Sequence, residues 1–255
     1  MALIEDTLFG RIDKVQMAIE RIKTFEPKEG YYGATSFGKD SIVLMDLTKK
    51  AGVKVKWHFH VTTVDPPELL KFGRKYYKDV IWTKPKTTMW KLIIKKKMPP
   101  TRLARYCCDY FKEAHGEGII LTGIRWAESN KRRNRKMTEQ CLKGKNRSFV
   151  NPIIDWEDDD IWEYILSNEM PYCSLYDEGF KRLGCIGCPI AGKNRYKEFE
   201  RWPKFEKLYR KTFAELIKNR KIENTSIQWS TADNMFKWWM EENINDNPDQ
   251  IMMFE

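Results

Sequence analysis

Apolar residues recur at Ile4, Leu8, Ile12, Val15, Ile19 and Ile22, a three-to-four spacing that predicts an amphipathic helix over residues 4–22. Pro27 and Gly30 break the pattern, and residues 31–35 read as a short strand entering the polar, glycine-containing loop 36–41. Helical periodicity resumes over 42–50. Residues 53–63 are β-rich and closed by Asp65, Pro66 and Pro67; 68–77 are helical, 80–82 form a third strand, and 118–123 a fourth, ahead of a charged loop at 125–136. Beyond Pro152 the character changes: 158–167 suit a helix, 171–189 are irregular and cysteine-bearing, and 196–220 read as one long aromatic-rich helix.

Strands alternating with helices predict an α/β fold: a parallel sheet with helices on both faces, plus an α-helical carboxyl-terminal addition. The expected division is an α/β domain over 1–155 and a helical region over 156–255 packed on it. A chain of 255 residues, 42% hydrophobic with ten Trp and thirteen Phe, can build such a core, and 32% charged residues make a polar exterior. No apolar run approaches the roughly 20 residues of a membrane helix, and the first residues lack a signal-peptide core, so a cytoplasmic protein without membrane contact is expected. A net charge of +10 suits a polyanionic partner and equally an ordinary lysine-rich surface. Self-association is compatible with these features. Six Cys without a secretory signal read as reduced thiols or metal ligands rather than a disulfide framework.

Ser36, Phe37, Gly38, Lys39, Asp40 and Ser41 lie between a predicted strand and a predicted helix, where amides at a helix amino terminus can hold phosphate oxygens. Gly38 permits close backbone approach, Lys39 adds positive charge, Ser36 and Ser41 offer hydroxyls, and Asp40 can orient the loop or a Mg2+ ion. A plain polar strand-to-helix turn has the same outline. Two further segments carry thiols: Cys107 beside Cys108, and Cys185 with Cys188 at C-x-x-C spacing. Four thiolates suit an iron-sulfur cluster or zinc, and the spacing does not separate the two. Cys141 and Cys173 read as small buried hydrophobes.

The hexapeptide 36–41 resembles the S-x-G-x-D-S signature of the PP-loop family, and the chain is identified as a member of its phosphoadenosine-phosphosulfate (PAPS) reductase branch. Thr62-Thr63-Val64-Asp65-Pro66-Pro67-Glu68 is similar to the segment after that family's second strand. Gly123-Ile124-Arg125-Trp126-Ala127-Glu128-Ser129 resembles G-I-R-x-x-x-S, and Asn151-Pro152-Ile153-Ile154-Asp155-Trp156 resembles N-P-[LI]-x-x-W. The resemblance implies ATP or an adenylyl-sulfate nucleotide at residues 36–41, with Arg125, Lys39 and Asp40 acting on it. Glu128 and Asp65 are weaker candidates. It also implies a 4Fe-4S cluster on Cys107, Cys108, Cys185 and Cys188, the last two approached through the similar run from Tyr176 to Gly184, with Lys112 at the C-C-x-x-x-K position near cluster and substrate.

The resemblance stops at the carboxyl-terminal cysteine that attacks the sulfate sulfur in the reductases. No cysteine follows Cys188, and residues 246–255 carry no thiol. Ordinary sulfonucleotide reduction is therefore not expected without a partner's thiol. The remaining parts look more like PP-loop enzymes that activate an acceptor with ATP and insert sulfur from a donor protein. The basic run 131–136 can guide a nucleic-acid acceptor, or be a solvated loop. A non-catalytic nucleotide- or nucleic-acid-binding subunit is the other reading.

Overall fold

The computed structural model describes residues 3–7, 10–113, 115–141, 146–223 and 228–241. In chain order these form β1 (Ile4–Thr7), β2 (Gly10–Asp13), α1 (Lys14–Thr24), β3 (Tyr31–Ala34), α2 (Lys39–Ala51), β4 (Val55–His60), α3 (Pro67–Tyr76), β5 (Ile81–Thr83) and α4 (Met89–Lys96). The chain continues through α5 (Tyr106–Cys108), a π-helical turn at Asp109–Glu113, β6 (Gly118–Leu121), α6 (Asn130–Arg133), β7 (Thr138–Gln140), β8 (Arg147–Val150) and α7 (Asp158–Ser167). Helices α8 (Asn194–Arg201), α9 (Pro203–Ile222) and α10 (Ala232–Glu241) follow.

Two compact, discontinuous units result. One comprises Met1–Phe59, Pro67–Thr83 and His115–Leu183; the other comprises His60–Pro66, Lys84–Ala114 and Gly184–Glu255. This is not the single cut after residue 155 expected from composition. Helix α7 stays with the sheet unit, where the Lys14 ammonium donates to Asp160 at 2.8 Å and α7 packs on α2. Residues 84–114, by contrast, go with the helical unit.

The sheet runs β5-β4-β3-β6-β8-β7 and is flanked by helices. β3 pairs in parallel with β4 and β6, β6 pairs in parallel with β8, and β7 is an antiparallel edge on β8. From β3 the strand order grows outward in both directions, so the carboxyl ends of β3 and β6 flank a topological switch point, where such sheets place ligand loops. Helix α2 leaves that point with Ile42, Val43, Leu44 and Leu47 wholly buried, each contributing about 1.5–3 kcal/mol. Its amino terminus is thereby held on a rigid element.

Three expectations change. The predicted helix over 4–22 is a hairpin, β1 on β2, followed by a helix that begins only at Lys14. Ile4 pairs with Asp13 and Glu5 with Ile12, so Ile4 and Ile12 fall on opposite faces of the hairpin rather than on one helical stripe. The Asp13 carboxylate decides the start, accepting from the Val15 and Gln16 amides at 2.9 and 3.0 Å. The predicted long helix over 196–220 is two helices, broken at Trp202 because Pro203 lacks an amide hydrogen and occupies the first turn of α9. The loop 125–136 contains a 3-10 turn at Trp126–Glu128 and the short α6, capped by Ser129.

In the helical unit the core is aromatic: Tyr209, Phe213 and Trp239 are at most 1% exposed, with Tyr209 and Trp239 ring centroids 4.7 Å apart. Arg195, wholly buried, donates to the carbonyls of Trp239 and Met240 at 3.0 and 2.9 Å, closing the carboxyl end of α10.

Candidate functional site

The loop after β3 is shaped by its own side chains. The Phe37 amide donates to Thr35 Oγ1 at 3.1 Å, and the Ser41 hydroxyl donates to the Gly38 carbonyl at 2.9 Å. Phe37 takes a left-handed φ of 55° and turns its ring into the core, stacking on Phe59 at 4.7 Å and Tyr77 at 5.7 Å. The ring fits because Gly73 of α3 has no side chain: a Cβ there would lie 2.4 Å from Phe37 Cε2. The apolar residue of the hexapeptide thus anchors the loop rather than touching a ligand, and Gly38 is left to start α2 with the Lys39 amide. That amide donates to the Tyr176 hydroxyl at 2.8 Å. Tyr176 is steadied by the Trp162 ring, edge-on at 5.1 Å.

Arg125, 1% exposed, reaches the same place from the loop after β6. Its Nε donates to Asp40 Oδ1 at 2.6 Å, one terminal nitrogen to the Trp156 carbonyl at 2.9 Å and the other to Asp158 Oδ1 at 2.6 Å. Lys39 Nζ donates to the same Asp158 oxygen at 2.6 Å and lies 3.3 Å from Asp40 Oδ1. Two cations and two carboxylates thus share one cluster. Burial works against the Asp158 carboxylate, but the bonds from Lys39 and Arg125 outweigh it and hold its pKa below the ordinary value. Burial likewise opposes the Arg125 charge, and Asp40 and Asp158 more than restore it, leaving its pKa raised.

The second group of candidates lies in the helical unit. Cys107 and Cys108 share a hydrogen bond, which drives the Cys107 thiol upward, with burial and the charges of Cys185 and Cys188 adding to the shift. The same bond lowers Cys108, against burial and with help from Lys112 and Arg105. Cys185 is raised by burial, the nearby Lys112 cation opposing, and its thiol donates to Thr62 Oγ1 at 3.4 Å. The Lys112 ammonium is pushed up, foremost by Cys185, with Asp65, Cys108 and Cys188 adding. All four sulfurs and one cation therefore act on each other, which suits thiolate ligation in donor type and neighbourhood. Among the described residues, however, no group of three or more His, Cys, Asp or Glu side chains is placed so as to hold one metal ion. Closure on a metal or cluster would require the cysteine side chains to turn towards a common centre.

Ser36, Phe37, Gly38, Lys39, Asp40, Ser41 and Arg125 are thus gathered at one end of the sheet, and Cys107, Cys108, Cys185, Cys188 and Lys112 in the helical unit. Glu128 accepts from the Arg125 amide at 3.0 Å and serves the turn. Asp65 accepts from the Thr62 amide and hydroxyl at 2.7 and 2.8 Å, its pKa raised by burial. Cys141 accepts from Arg147 Nε at 3.3 Å, and Cys173 is 1% exposed. Residues 246–255 lie outside the described residues. Sequence reasoning missed Asp158 and Tyr176. Asp158 looked like one of several acids opening a helix, and Tyr176 like part of the approach to the second cysteine pair.

An open, mostly parallel sheet with a strand-loop-helix turn and a buried arginine at its switch point defines a doubly wound α/β protein. The phosphoadenosine phosphosulfate reductase domain model matches residues 31–191, and the chain belongs to that family. An uncharacterized protein of Methanocaldococcus jannaschii is 32% identical over 212 residues, spanning 74% of this chain and 50% of that protein. The adenosine 5'-phosphosulfate reductase of Bacillus anthracis is 26% identical over 185 residues, 66% of this chain and 80% of that one. The chain spans about half the length of its archaeal relatives. The PAPS reductase of Candida auris, solved as a phosphate complex, shares the fold with a TM-score of 0.52 at 22% identity, over 67% of this chain and 89% of that one. Among the described residues, no helix is long and apolar enough to cross a membrane.

Proposed function

We propose that this protein is an enzyme that binds ATP at residues 36–41, activates an acceptor with it, and transfers sulfur to that acceptor, with a 4Fe-4S cluster on Cys107, Cys108, Cys185 and Cys188. The observation that carries the nucleotide reading is the convergence of Lys39 and Arg125, both buried, at the amino end of α2. In this chemistry an acceptor oxygen attacks the α-phosphorus, the bond to the bridging oxygen breaks and pyrophosphate leaves. Sulfide then displaces AMP from the adenylated acceptor. The chain's part is electrostatic: Lys39 and the α2 amides hold phosphate oxygens, and Arg125 stabilises charge as pyrophosphate departs. A magnesium ion would travel with the triphosphate, because Asp40 Oδ1 already accepts from Arg125 and Lys39.

A bound cluster would supply iron and sulfide chemistry, with Lys112 as the nearby cation. Sulfur transfer from a donor protein, rather than attack by a thiol of this chain, is supported by the engagement of Cys141 with Arg147 and the burial of Cys173. The segment 131–136 is the candidate contact for a nucleic-acid acceptor, beside Trp126, which is 39% exposed. Arg132 and Arg135 already pair with Glu128 and Glu139, so fewer free charges remain than the sequence suggests.

The second reading, sulfonucleotide reduction with a partner's thiol, is favoured by the kinship with an adenosine 5'-phosphosulfate reductase along 80% of its length. The test is product analysis of anaerobically purified protein. ATP-dependent pyrophosphate release stimulated by RNA or DNA supports the first reading. Sulfite release from adenylyl sulfate with added thioredoxin-class thiol supports the second. Nucleotide binding with neither product identifies a binding subunit.

A further inference from the structure

The cations of the cradle converge on a carboxylate that no motif of the sequence marks. We propose that Asp158 is the cradle's resident anion: its carboxylate stands where a phosphate or sulfate oxygen of the nucleotide binds, and exchange between the two sets the affinity of the site. This rests on reading residues 36–41 as the nucleotide loop. A single oxygen, Asp158 Oδ1, accepts from Lys39 Nζ and from Arg125, each at 2.6 Å. Bridging two cations with one oxygen is how a phosphoryl oxygen is held.

The partners are unequal in a way that permits exchange. The Asp158 side chain is 69% exposed, whereas those of Lys39 and Arg125 are 7% and 1% exposed. The carboxylate can turn into water with little loss of solvation, while the cations cannot follow it. Asp40 and the Trp156 carbonyl keep their bonds to Arg125 throughout, so the guanidinium holds its place. With Asp158 in the cluster the two cations and two carboxylates balance; with Asp158 turned away, one positive charge is uncompensated and faces the incoming anion. Tyr176 is the neutral counterpart, its hydroxyl accepting from the Lys39 amide where another ligand oxygen would accept.

The start of α7 does not depend on this carboxylate. The capping interactions there are made by Glu157 and Asp160, and the Glu157 amide donates to Asp160 Oδ2 at 2.7 Å. Position 158 is therefore free to serve the site, and Asp158→Asn is expected to fold.

The experiment is calorimetric titration of the whole chain, wild type, Asp158→Asn and Asp158→Glu, with pyrophosphate, ATP and adenosine at fixed ionic strength, thermal unfolding confirming that each variant is folded. Removing the competing charge should tighten pyrophosphate and ATP about tenfold, roughly 1.4 kcal/mol, the exposed carboxylate being partly screened. Adenosine should be unchanged, and Asp158→Glu should stay near wild type. Equal or weaker pyrophosphate and ATP binding by a folded Asp158→Asn protein, with the wild type binding normally, overturns the exchange and makes Asp158 a positioning residue. Should neither protein bind pyrophosphate or ATP, the loop assignment itself has failed and the exchange with it. Should Asp158→Asn not fold, Asp158→Ser carries the same test.

Discussion

Adding one methyl group at Gly73 should disable the loop from behind. A Cβ at that position would lie 2.4, 2.6 and 2.8 Å from three carbons of the Phe37 ring. Carbon atoms rest about 3.5–4.0 Å apart, so the ring must retreat by roughly 1 Å. It has nowhere to go, since Phe37 is wholly buried and Phe59, Tyr77 and Trp82 surround it. Overpacking of this kind costs about 1–3 kcal/mol, and a contact this close belongs at the upper end. Alanine is the better helix former by ~1 kcal/mol, which leaves about 2 kcal/mol of net destabilisation for Gly73→Ala. In a chain of this size that lowers the unfolding midpoint by roughly 4–8 °C. Movement of Phe37 also shifts Gly38 and the Lys39 amide, so ATP affinity should fall with stability. The decisive assay is a double-mutant cycle by thermal unfolding and ATP titration. Phe37→Ala opens the space the methyl needs, so Gly73→Ala should be nearly silent in that background. A midpoint at or above wild type for Gly73→Ala, or additive losses in the double variant, would refute the reasoning.

Three other outcomes follow from the same geometry. Gly38→Ala should weaken ATP or adenylyl-sulfate binding more than it lowers the unfolding midpoint, because a Cβ meets only Ser36 Oγ at 3.3 Å and the Tyr176 hydroxyl at 3.4 Å; unchanged affinity in calorimetry would remove the loop from the site. Serine at any one of Cys107, Cys108, Cys185 or Cys188 should reduce iron content and visible absorbance after anaerobic purification, whereas serine at Cys141 or Cys173 should not; stoichiometric zinc without acid-labile sulfide in the wild type would contradict the cluster. Asp158 is ionised to lower pH in the folded chain than in the unfolded one, so its bonds to Lys39 and Arg125 stabilise fully above the ordinary Asp range of about 4, and the gain is lost as pH falls through the depressed value. Comparison of wild-type and Asp158→Asn unfolding midpoints across acid pH should show the difference shrinking towards low pH, and a constant difference would count against the linkage.

The strand-loop-helix turn at residues 36–41 was legible in the sequence because its residues are contiguous. Arg125 was legible from the residues around it. Their exposed-looking chemistry, however, concealed how they are held. Phe37 sits inside a polar hexapeptide and gives no sign that it is a core residue, since the space for it is made by Gly73 on another helix. Asp158 joins Lys39 across 119 positions, and no periodicity reports a contact of that range. Strands β7 and β8, of three and four residues with mixed polarity, are too short to show alternation. The amino-terminal hairpin was missed because the three-to-four spacing was carried across the whole of 4–22, whereas the helix starts only after the cap at Asp13. Helix α4, capped by the Thr88 hydroxyl accepting from the Lys91 amide at 3.4 Å, was passed over amid the surrounding lysines.

The interleaving of the two units has a consequence for how the protein is made. Residues 60–66 and 84–114 belong with a body whose remainder begins only at Gly184. At about 5–20 residues per second of synthesis, Cys107 and Cys108 leave the ribosome several seconds before Cys185 and Cys188 exist. During that interval the nascent chain can complete neither its aromatic core around Tyr209 and Trp239 nor its set of thiols. A fragment ending before Gly184 would lack that aromatic core permanently. The helical body therefore cannot be prepared as a simple carboxyl-terminal truncate.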